Sequence, residues 1–132
     1  MNEIVKESST GTGIVQLYRN GIMHQTYQDG SELTMEDSQR ELEVYRAEFC
    51  VDTNRPILVD INNIKTVSKE SRSIYSSEKT AEVFSAAALL VGNPVSRIIG
   101  NFYLGINKSA MPIKMFTNSD EALAWLKTFL PE

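Results

Sequence analysis

Two serines carry the simplest chemistry that the sequence offers, which is the acceptance of a phosphate group. Ser68 and Ser71 lie at the predicted start of a helix, next to Lys69 and Arg72. Free backbone N–H groups and the helix dipole favour an anion at such a start, and the two cations would face its charge. The alternative is that Ser68 only caps the helix. We favour the cap, because serine is a leading N-cap residue for structural reasons alone.

Asp60 is a further candidate because it lies near the end of the apolar run Pro56–Ile61, which predicts a buried strand. Carboxylates at the ends of such strands commonly serve ligand sites in α/β proteins. The alternative is an ordinary turn cap, in which the carboxylate accepts hydrogen bonds from the N–H groups of Asn62 or Asn63. We favour the cap here as well.

A third candidate is the segment from Gly92 to Lys108, where polar side chains lie among apolar ones. They could line a pocket or an interface, and the glycines of the segment would allow another backbone to come close. Equally, the segment could be a buried connection whose polar groups satisfy its own backbone. The sequence leaves both interpretations open. The residues concerned are Asn93, Arg97, Asn101 and Asn107, with Gly100 and Gly105.

The sequence contains no recognisable catalytic set. No triad order, glycine-rich phosphate loop, metal-ligand spacing or carboxylate pair stands out. His24 is alone on a predicted strand, and Cys50 ends an apolar stripe, where it would pack as a small hydrophobe. We therefore expect no catalytic activity, no cofactor and no metal.

Composition favours one small globular domain. The chain has 132 residues, of which 42% are hydrophobic and 23% charged, a balance that suits a packed core. Its net charge of -4 and its scattered basic residues argue against nucleic-acid binding. The apolar stretch Ala86–Val91 is too short to cross a bilayer, and Met1–Thr10 lacks the apolar core of a secretory signal. With one cysteine and no internal disulfide, we expect a cytoplasmic protein.

The N-terminal half predicts a hairpin, a helix and a strand. Residues 1–12 are expected to be flexible, and residues 13–132 to form the single domain. Asn20-Gly21 between two alternating runs predicts a β-hairpin with a type I′ turn. Thr34 and Asp37 then predict a capping box for a helix that runs to about Cys50. Its expected buried stripe is Leu42, Val44, Tyr45 and Phe49, and its expected wet face is Glu36, Asp37, Arg40, Glu41, Glu43 and Glu48.

The C-terminal half predicts helices that alternate with strands. Ser68–Val91 is expected to be helical in two pieces that meet near Ser76 and Ser77, with Ala81, Phe84, Ala88 and Val91 on one face of the second piece, Glu78–Val91. Strands are expected at Val95–Ile99 and Pro112–Phe116, and a last helix after Thr117, while Gly100–Asn107 stays undecided. The order predicts an α/β fold with a mixed sheet of four or five strands flanked by helices.

The strand that ends in Val59-Asp60-Ile61, with its loop and serine-rich helix start, resembles the STAS (sulfate transporter and anti-sigma antagonist) superfamily. A closer resemblance is to an uncharacterised bacterial group of stand-alone STAS-like proteins. It covers the chain from Gly13 onward and rests on Ala87–Arg97, Ile99–Lys108, Phe116-Thr117 and Glu121–Leu126. The resemblance implies a mixed sheet flanked by helices.

The resemblance also implies a phosphoacceptor serine. In anti-sigma antagonists the stretch after this strand reads roughly Asp-Ser-Ser-Gly-Leu-Gly, and one of its serines accepts phosphate at a helix N-terminus. The corresponding stretch here is Ser68–Ser73, which lacks the glycines and places Lys69 and Glu70 about where the acceptor stands.

We expect a non-catalytic regulatory or protein-interaction module of STAS-like type, acting on a protein partner or as a homodimer. The expected contact surface is the helix Glu78–Val91, with Phe84 and Ala88, next to Phe102–Ile106. The run Ala86–Val91 is longer than one helix stripe needs, which favours either full enclosure or a patch for a partner.

The alternative is a small apolar-ligand, lipid-like binding domain. Sec14-type lipid-binding domains are similar in structure to STAS folds, and apolar side chains could wall a cavity here. The residues expected to do so are Phe84, Leu89, Phe102 and Leu104. A third interpretation, a hydrolase, has no motif in its favour.

Overall fold

A six-stranded sheet forms the frame of the chain in the computed structural model, which describes residues 3–75, 80–106 and 111–131. In chain order the strands are β1 (Ile4–Ser9), β2 (Gly13–Tyr18), β3 (Met23–Tyr27), β4 (Ser31–Leu33), β5 (Arg55–Asp60), β6 (Ile64–Val67), β7 (Phe84–Leu90) and β8 (Ile113–Phe116). The sheet has the order β1-β2-β3-β5-β7-β8, and β4 pairs separately with β6. The predicted α/β fold with a mixed sheet is confirmed, with six strands in place of four or five.

Helices cover both faces of this sheet. They are α1 (Met35–Val44), α2 (Lys69–Ile74), α3 (Thr80–Val83), α4 (Pro94–Ile106) and α5 (Ser119–Lys127), and a π-helical turn, Tyr45–Phe49, continues α1. On one face, Tyr45 and Tyr103 belong to the clusters that join α1 and α4 to the sheet. On the other face, α5 packs through Ala122 and Leu126.

β5 is the central strand that the run Pro56–Ile61 predicts. It pairs in parallel with β3 on one side and β7 on the other. Ile57 packs into the cluster below α1, while Leu58 points to the opposite face and packs against α5. A strand covered on both faces has to be apolar almost throughout, and this requirement explains the unbroken run.

The N-terminal strands differ from the prediction in two ways. Residues expected to be flexible form β1, an edge strand that pairs antiparallel with β2. Because the sequence of β1 is largely polar, no apolar pattern marks it as a strand. Lys6 Nζ and Ser8 Oγ donate hydrogen bonds to Glu48, at 2.6 and 2.7 Å. The β2–β3 hairpin is confirmed. The N–H of Tyr18 donates to the Ile22 carbonyl at 2.9 Å, which leaves Arg19–Gly21 as a three-residue loop. A type I′ turn needs two positive φ angles, and here only Gly21 has one, at 104°.

The predicted helix Glu78–Val91 is wrong over its second half, because Phe84–Leu90 form β7 and, of its described residues, only Thr80–Val83 are helical. Alanine favours helices intrinsically, yet Ala86–Ala88 run through the middle of the sheet, where they are buried. Ala86 and Ala88 face Ala122 of α5 in one cluster. Small side chains at this point let the helix approach the sheet closely. The expected junction at Ser76 and Ser77 lies outside the described residues.

The predicted strand Val95–Ile99 is also wrong, since it forms the first half of α4. The helix start is well defined: Asn93 Oδ1 accepts a hydrogen bond from the N–H of Ser96 at 2.8 Å, and Pro94 occupies the first helical position, where its missing N–H costs nothing. Three β-branched residues in this stretch favour a strand on propensity alone. The undecided segment is therefore helical up to Ile106, and Asn107 lies outside the described residues.

The two helices with clear start signals are confirmed. The Thr34 hydroxyl accepts from the N–H of Asp37, whose carboxylate accepts from the N–H of Thr34, which completes the predicted capping box. α5 begins one residue later than the Thr117 signal implies, because Asn118 is the N-cap and accepts from the N–H of Glu121 at 3.0 Å.

Replacement of Ala88 by Leu is expected to lower the free energy of unfolding by about 1–3 kcal/mol, since Ala88 is fully buried beneath α5 and added methylenes have no room. Urea unfolding measures the change. Ala124→Leu, on the exposed side of α5, is the matched control and should change it by less than about 0.5 kcal/mol. Equal losses in both variants would contradict the close packing of α5 on β7.

Candidate functional site

The two predicted phosphoacceptors differ sharply in exposure. Ser68 is the half-buried N-cap of α2, and its Oγ accepts a hydrogen bond from the N–H of Ser71 at 3.0 Å. Ser71 is fully buried, and its hydroxyl bonds to that of Ser38 on α1. Ser68 therefore fills the capping role, while a kinase could reach the Ser71 hydroxyl only if α2 moved away from α1.

Asp60 also fills its capping role. Its Oδ1 accepts hydrogen bonds from the backbone N–H and the side-chain amide of Asn62, at 3.0 and 2.9 Å. The Asn93 amide donates to the Asn62 carbonyl at 3.1 Å, and Ser96 Oγ donates to Asn62 Oδ1 at 3.3 Å. This network ties the carboxyl ends of β5 and β7 together and leaves Asp60 and Asn93 serving the backbone.

The predicted contact surface on Glu78–Val91 is wrong. Phe84 and Ala88 are buried within β7, so neither can meet a partner. Arg97 and Asn101 are exposed on α4, and no hydrogen bond between described residues joins either of them to Asp60.

The glycines of α4 play different parts. A Cβ on Gly100 would meet the Met115 side chain on β8, which would have to move to admit it, so glycine here lets the helix pack closely on the sheet. Gly105 has open space where its Cβ would be. Only Gly100 therefore allows the close approach that the sequence predicts for both.

His24 and Cys50 stand apart from these groups. The Tyr18 hydroxyl and His24 Nδ1 are hydrogen-bonded at 2.7 Å, and burial lowers the pKa of His24 against an opposing effect of the Asp60 charge. Burial raises the pKa of the Cys50 thiol to about 11, and its Sγ lies 3.5 Å from Met23 Sδ. Cys50 thus packs as a small hydrophobe.

One surface of α4 carries large apolar side chains that nothing in the described chain covers. Val95, Ile98 and Phe102 are 46%, 58% and 47% exposed. Their spacing places them along one side of the helix, beside β6 and α2. The depression between these elements, the α4 groove, has a volume of about 220 Å³ and is lined by Lys65, Thr66, Val67, Arg72, Val95, Ile98, Ile99 and Phe102.

The charged residues of the α4 groove are both cationic. The Arg72 guanidinium lies 4.0 Å from the centre of the Phe102 ring, a cation–π contact that holds both side chains at the rim. Among the residues that the structure describes, neither Lys65 nor Arg72 forms an ion pair. The groove thus combines apolar surface with unpaired positive charge in a chain that is negative overall.

A second site lies inside the domain, between the sheet and helices α1, α2 and α4. It is a cavity of about 60 Å³, here called the tyrosine cavity, and its walls are mainly aliphatic and aromatic. It is far smaller than the roughly 300–1,000 Å³ of ordinary ligand pockets, so a lipid would not fit without movement of the walls. Its polar members are Glu41 and the tyrosines Tyr27, Tyr45, Tyr75 and Tyr103.

Among the described residues, Glu41 is the one carboxyl that lines this cavity, and it is only 1% exposed. Its Oε1 accepts a hydrogen bond of 2.6 Å from the Tyr75 hydroxyl, while Oε2 has no partner in the described chain. Burial raises the pKa of Glu41 to about 7, although the Tyr75 and Tyr27 hydroxyls lower it. The Tyr27 hydroxyl lowers this pKa as a hydrogen-bond donor beside the carboxyl, but it does not reach Oε2 with hydrogen-bond geometry.

Further buried polar contacts support the walls of the tyrosine cavity. The Tyr45 hydroxyl donates to Gln25 Oε1 at 2.7 Å, and the Gln25 amide donates to Thr10 Oγ1 at 3.0 Å. Tyr75 and Tyr103 meet edge to face with ring centres 6.3 Å apart. These contacts fix Tyr45, Tyr75 and Tyr103 at the cavity that Glu41 lines.

The sequence interpretation placed Glu41 on the wet face of α1, which is wrong. The buried line of this helix runs through Ser38, Glu41, Tyr45 and Phe49, whereas Leu42 and Val44 are only partly buried. Spacings of three and four residues do mark that line, but a charged residue within it hides the stripe from a search for apolar residues.

Comparisons with known proteins agree with this architecture. Residues 16–130 match the family model described as Domain of unknown function (DUF7793). The chain belongs to this family. No curated protein matches the chain significantly.

A comparison with solved structures finds a similar fold in a protein of low sequence identity. An uncharacterized DUF3478-family protein with a SpoIIAA-like fold, from Shewanella loihica PV-4, is 14% identical, with a TM-score of 0.57 over 96% of this chain and 95% of that one. This similarity confirms the STAS-like fold. A protein with unknown function from Arthrobacter sp. FB24 is 31% identical over 90% of this chain and 95% of that one, with a TM-score of 0.34.

In the described part of the chain, every helix is too short or too polar to cross a bilayer.

Replacement of Glu41 by Gln is expected to remove a pH dependence of stability. In the folded state Glu41 keeps its proton up to about pH 7, whereas in the unfolded state it keeps the proton only up to about pH 4.5. The contribution of Glu41 to the free energy of unfolding is therefore most favourable below pH 4.5 and is lost as the pH rises to 7. At pH 8 the neutral variant should be more stable than the wild type by up to about 3 kcal/mol.

Urea unfolding at pH 5 and pH 8 measures this difference. Glu43→Gln, on the exposed side of the same helix, is the control and should follow the wild type at both pH values. A Glu41→Gln effect that is the same at both pH values would show that this carboxyl does not titrate in the folded state.

Proposed function

We propose that this protein is a non-catalytic regulatory module of STAS-like type, which acts in the cytoplasm by binding a partner protein in the α4 groove. The observation that carries the proposal is the uncovered apolar line of Val95, Ile98 and Phe102. The free, buried Cys50 suits a reducing compartment.

The apolar line favours a protein partner. A helix at the surface of a lone domain usually keeps one side polar, but here both sides of α4 carry apolar residues. Ile99 and Tyr103 pack inward, while Ile98 and Phe102 point outward beside them. Contiguous exposed apolar surface with a polar rim is typical of interaction sites. An aromatic residue and an arginine in contact are also the residue types that dominate binding energy.

The charge of the groove points to one kind of partner. Both charged residues in its lining, Lys65 and Arg72, are cationic, so an acidic segment is favoured on approach and an equally basic one is repelled. In a symmetric dimer the two grooves would face each other and bring their Lys65 and Arg72 charges together, so a second copy of this chain is the poorer occupant. We therefore expect an amphipathic segment of another protein, with apolar residues for the groove and acidic residues for its rim.

Ser68 offers a place where this binding could be regulated. It precedes Arg72 by one helical turn at the start of α2. A phosphate on its hydroxyl would place about two negative charges next to the cationic rim. Phosphorylation of Ser68 is then expected to weaken the binding of an acidic partner.

Site-specific photo-crosslinking in the native cell tests the proposal. A crosslinking residue at position 98 should join the chain to another protein, whereas one at Ile14, an exposed apolar residue on β2, should not. The crosslinked segment, made as a peptide, should be acidic and amphipathic. Ile98→Asp should weaken its binding at least about 30-fold, a hot-spot effect of about 2 kcal/mol. Lys65→Glu should weaken it about tenfold and reduce its salt dependence.

Ile14→Thr is the matched control for these binding measurements and should leave the affinity unchanged. If position 98 crosslinks only to a second copy of the chain, the α4 groove is a homodimer interface, and the proposal of a different partner protein is overturned. A peptide whose affinity is insensitive to Ile98→Asp would overturn the assignment of the groove.

A further inference from the structure

The tyrosine cavity has the features of a binding site that the α4 groove does not use. Its one carboxyl, Glu41, is almost completely buried, and Oε2 lacks a hydrogen-bond partner in the described chain. A buried polar atom left unpaired costs about 1–3 kcal/mol, more if it is charged. Proteins normally avoid this cost, so an occupant that satisfies Oε2 would stabilise the fold.

The size of the cavity limits the occupant. An apolar cavity of about 150 Å³ accommodates benzene, with six heavy atoms, whereas a single water needs about 10–15 Å³. The tyrosine cavity, at about 60 Å³, lies between these values. A ligand of roughly two to four heavy atoms fits this volume.

The residues that line the cavity favour a positively charged ligand. Four of the chain's tyrosines line the cavity together with Phe84, and the faces of aromatic rings attract cations. No Lys, Arg or His of the described residues lines it. The negative charge of Asp37, the smallest of the effects on the Glu41 pKa, also favours a cation. A cation beside Glu41 would remove the penalty for ionising this buried carboxyl.

We propose that the tyrosine cavity binds a small protonated amine, with Glu41 as its counter-ion and the aromatic side chains as its walls. The amine donates a hydrogen bond to Oε2, while Oε1 keeps its bond from Tyr75. The raised pKa of Glu41 supports this assignment, because no Lys, Arg or His of the described residues is among the groups that shift it.

Thermal unfolding at pH 8 in phosphate buffer, free of other amines, tests the proposal with methylammonium and ethylammonium chloride as probes. Each is expected to raise the Tm of the full chain by roughly 3–8 °C over an equal concentration of sodium chloride, as mass action predicts for a ligand of the native state. Glu41→Gln should abolish the rise, and Glu43→Gln should keep it. The neutral probes acetamide and ethanol should give no rise.

A second measurement needs no variant. Carboxyl carbon NMR of the wild type follows the Glu41 titration directly, and saturating methylammonium is expected to lower its pKa by at least about one unit, a tenfold preference of the amine for the ionised carboxylate. The proposal is overturned if the amines leave both Tm and pKa unchanged, which would point to bound water only. It is also overturned if acetamide stabilises the protein as well as methylammonium does.

Discussion

The pairing of β5 between two parallel neighbours is the constraint on which the rest of the structure depends. Parallel neighbours cannot be joined by a tight turn and need crossover connections over a face of the sheet. The crossover from β3 to β5 contains α1, and that from β5 to β7 contains β6 and α2. These crossovers bring Glu41 and Tyr75 to the tyrosine cavity, and Lys65 and Arg72 to the α4 groove. Both sites thus follow from the sheet order.

The two sites share α4 although they face different environments. Tyr103 lines the tyrosine cavity, and its neighbour Phe102 lies on the α4 groove. On α2, Ser71 is bonded within the interior to Ser38, and its neighbour Arg72 stacks on Phe102. A change in how the cavity is filled would therefore act on the same helices that form the groove. Dense packing transmits such small displacements.

The sequence could predict the elements whose signals are local. The unbroken apolar run marks β5, the Thr34–Asp37 pair marks the start of α1, and Asn20-Gly21 marks the hairpin. It could not predict β7, because Ala86–Ala88 follow a need for close packing against α5 that only the tertiary fold imposes. The same holds for Glu41, whose burial depends on tyrosines from distant parts of the chain. Phe102 could be picked out as an interaction residue, but its partners Lys65 and Arg72 required the fold.

The mixed sheet also has a consequence for the order in which its halves assemble. In the antiparallel half, Leu17 lies opposite Met23, whereas in the parallel half Pro56 lies opposite Ala86. Closing the longer loop costs about 1.4 kcal/mol more in chain entropy, and contacts distant in sequence form slowly. The β2–β3 hairpin can therefore form early, while the interior around β5 must wait for the crossovers. During that interval the apolar strands β5 and β7 lack their helical cover, so the nascent chain passes through a stage that is prone to self-association.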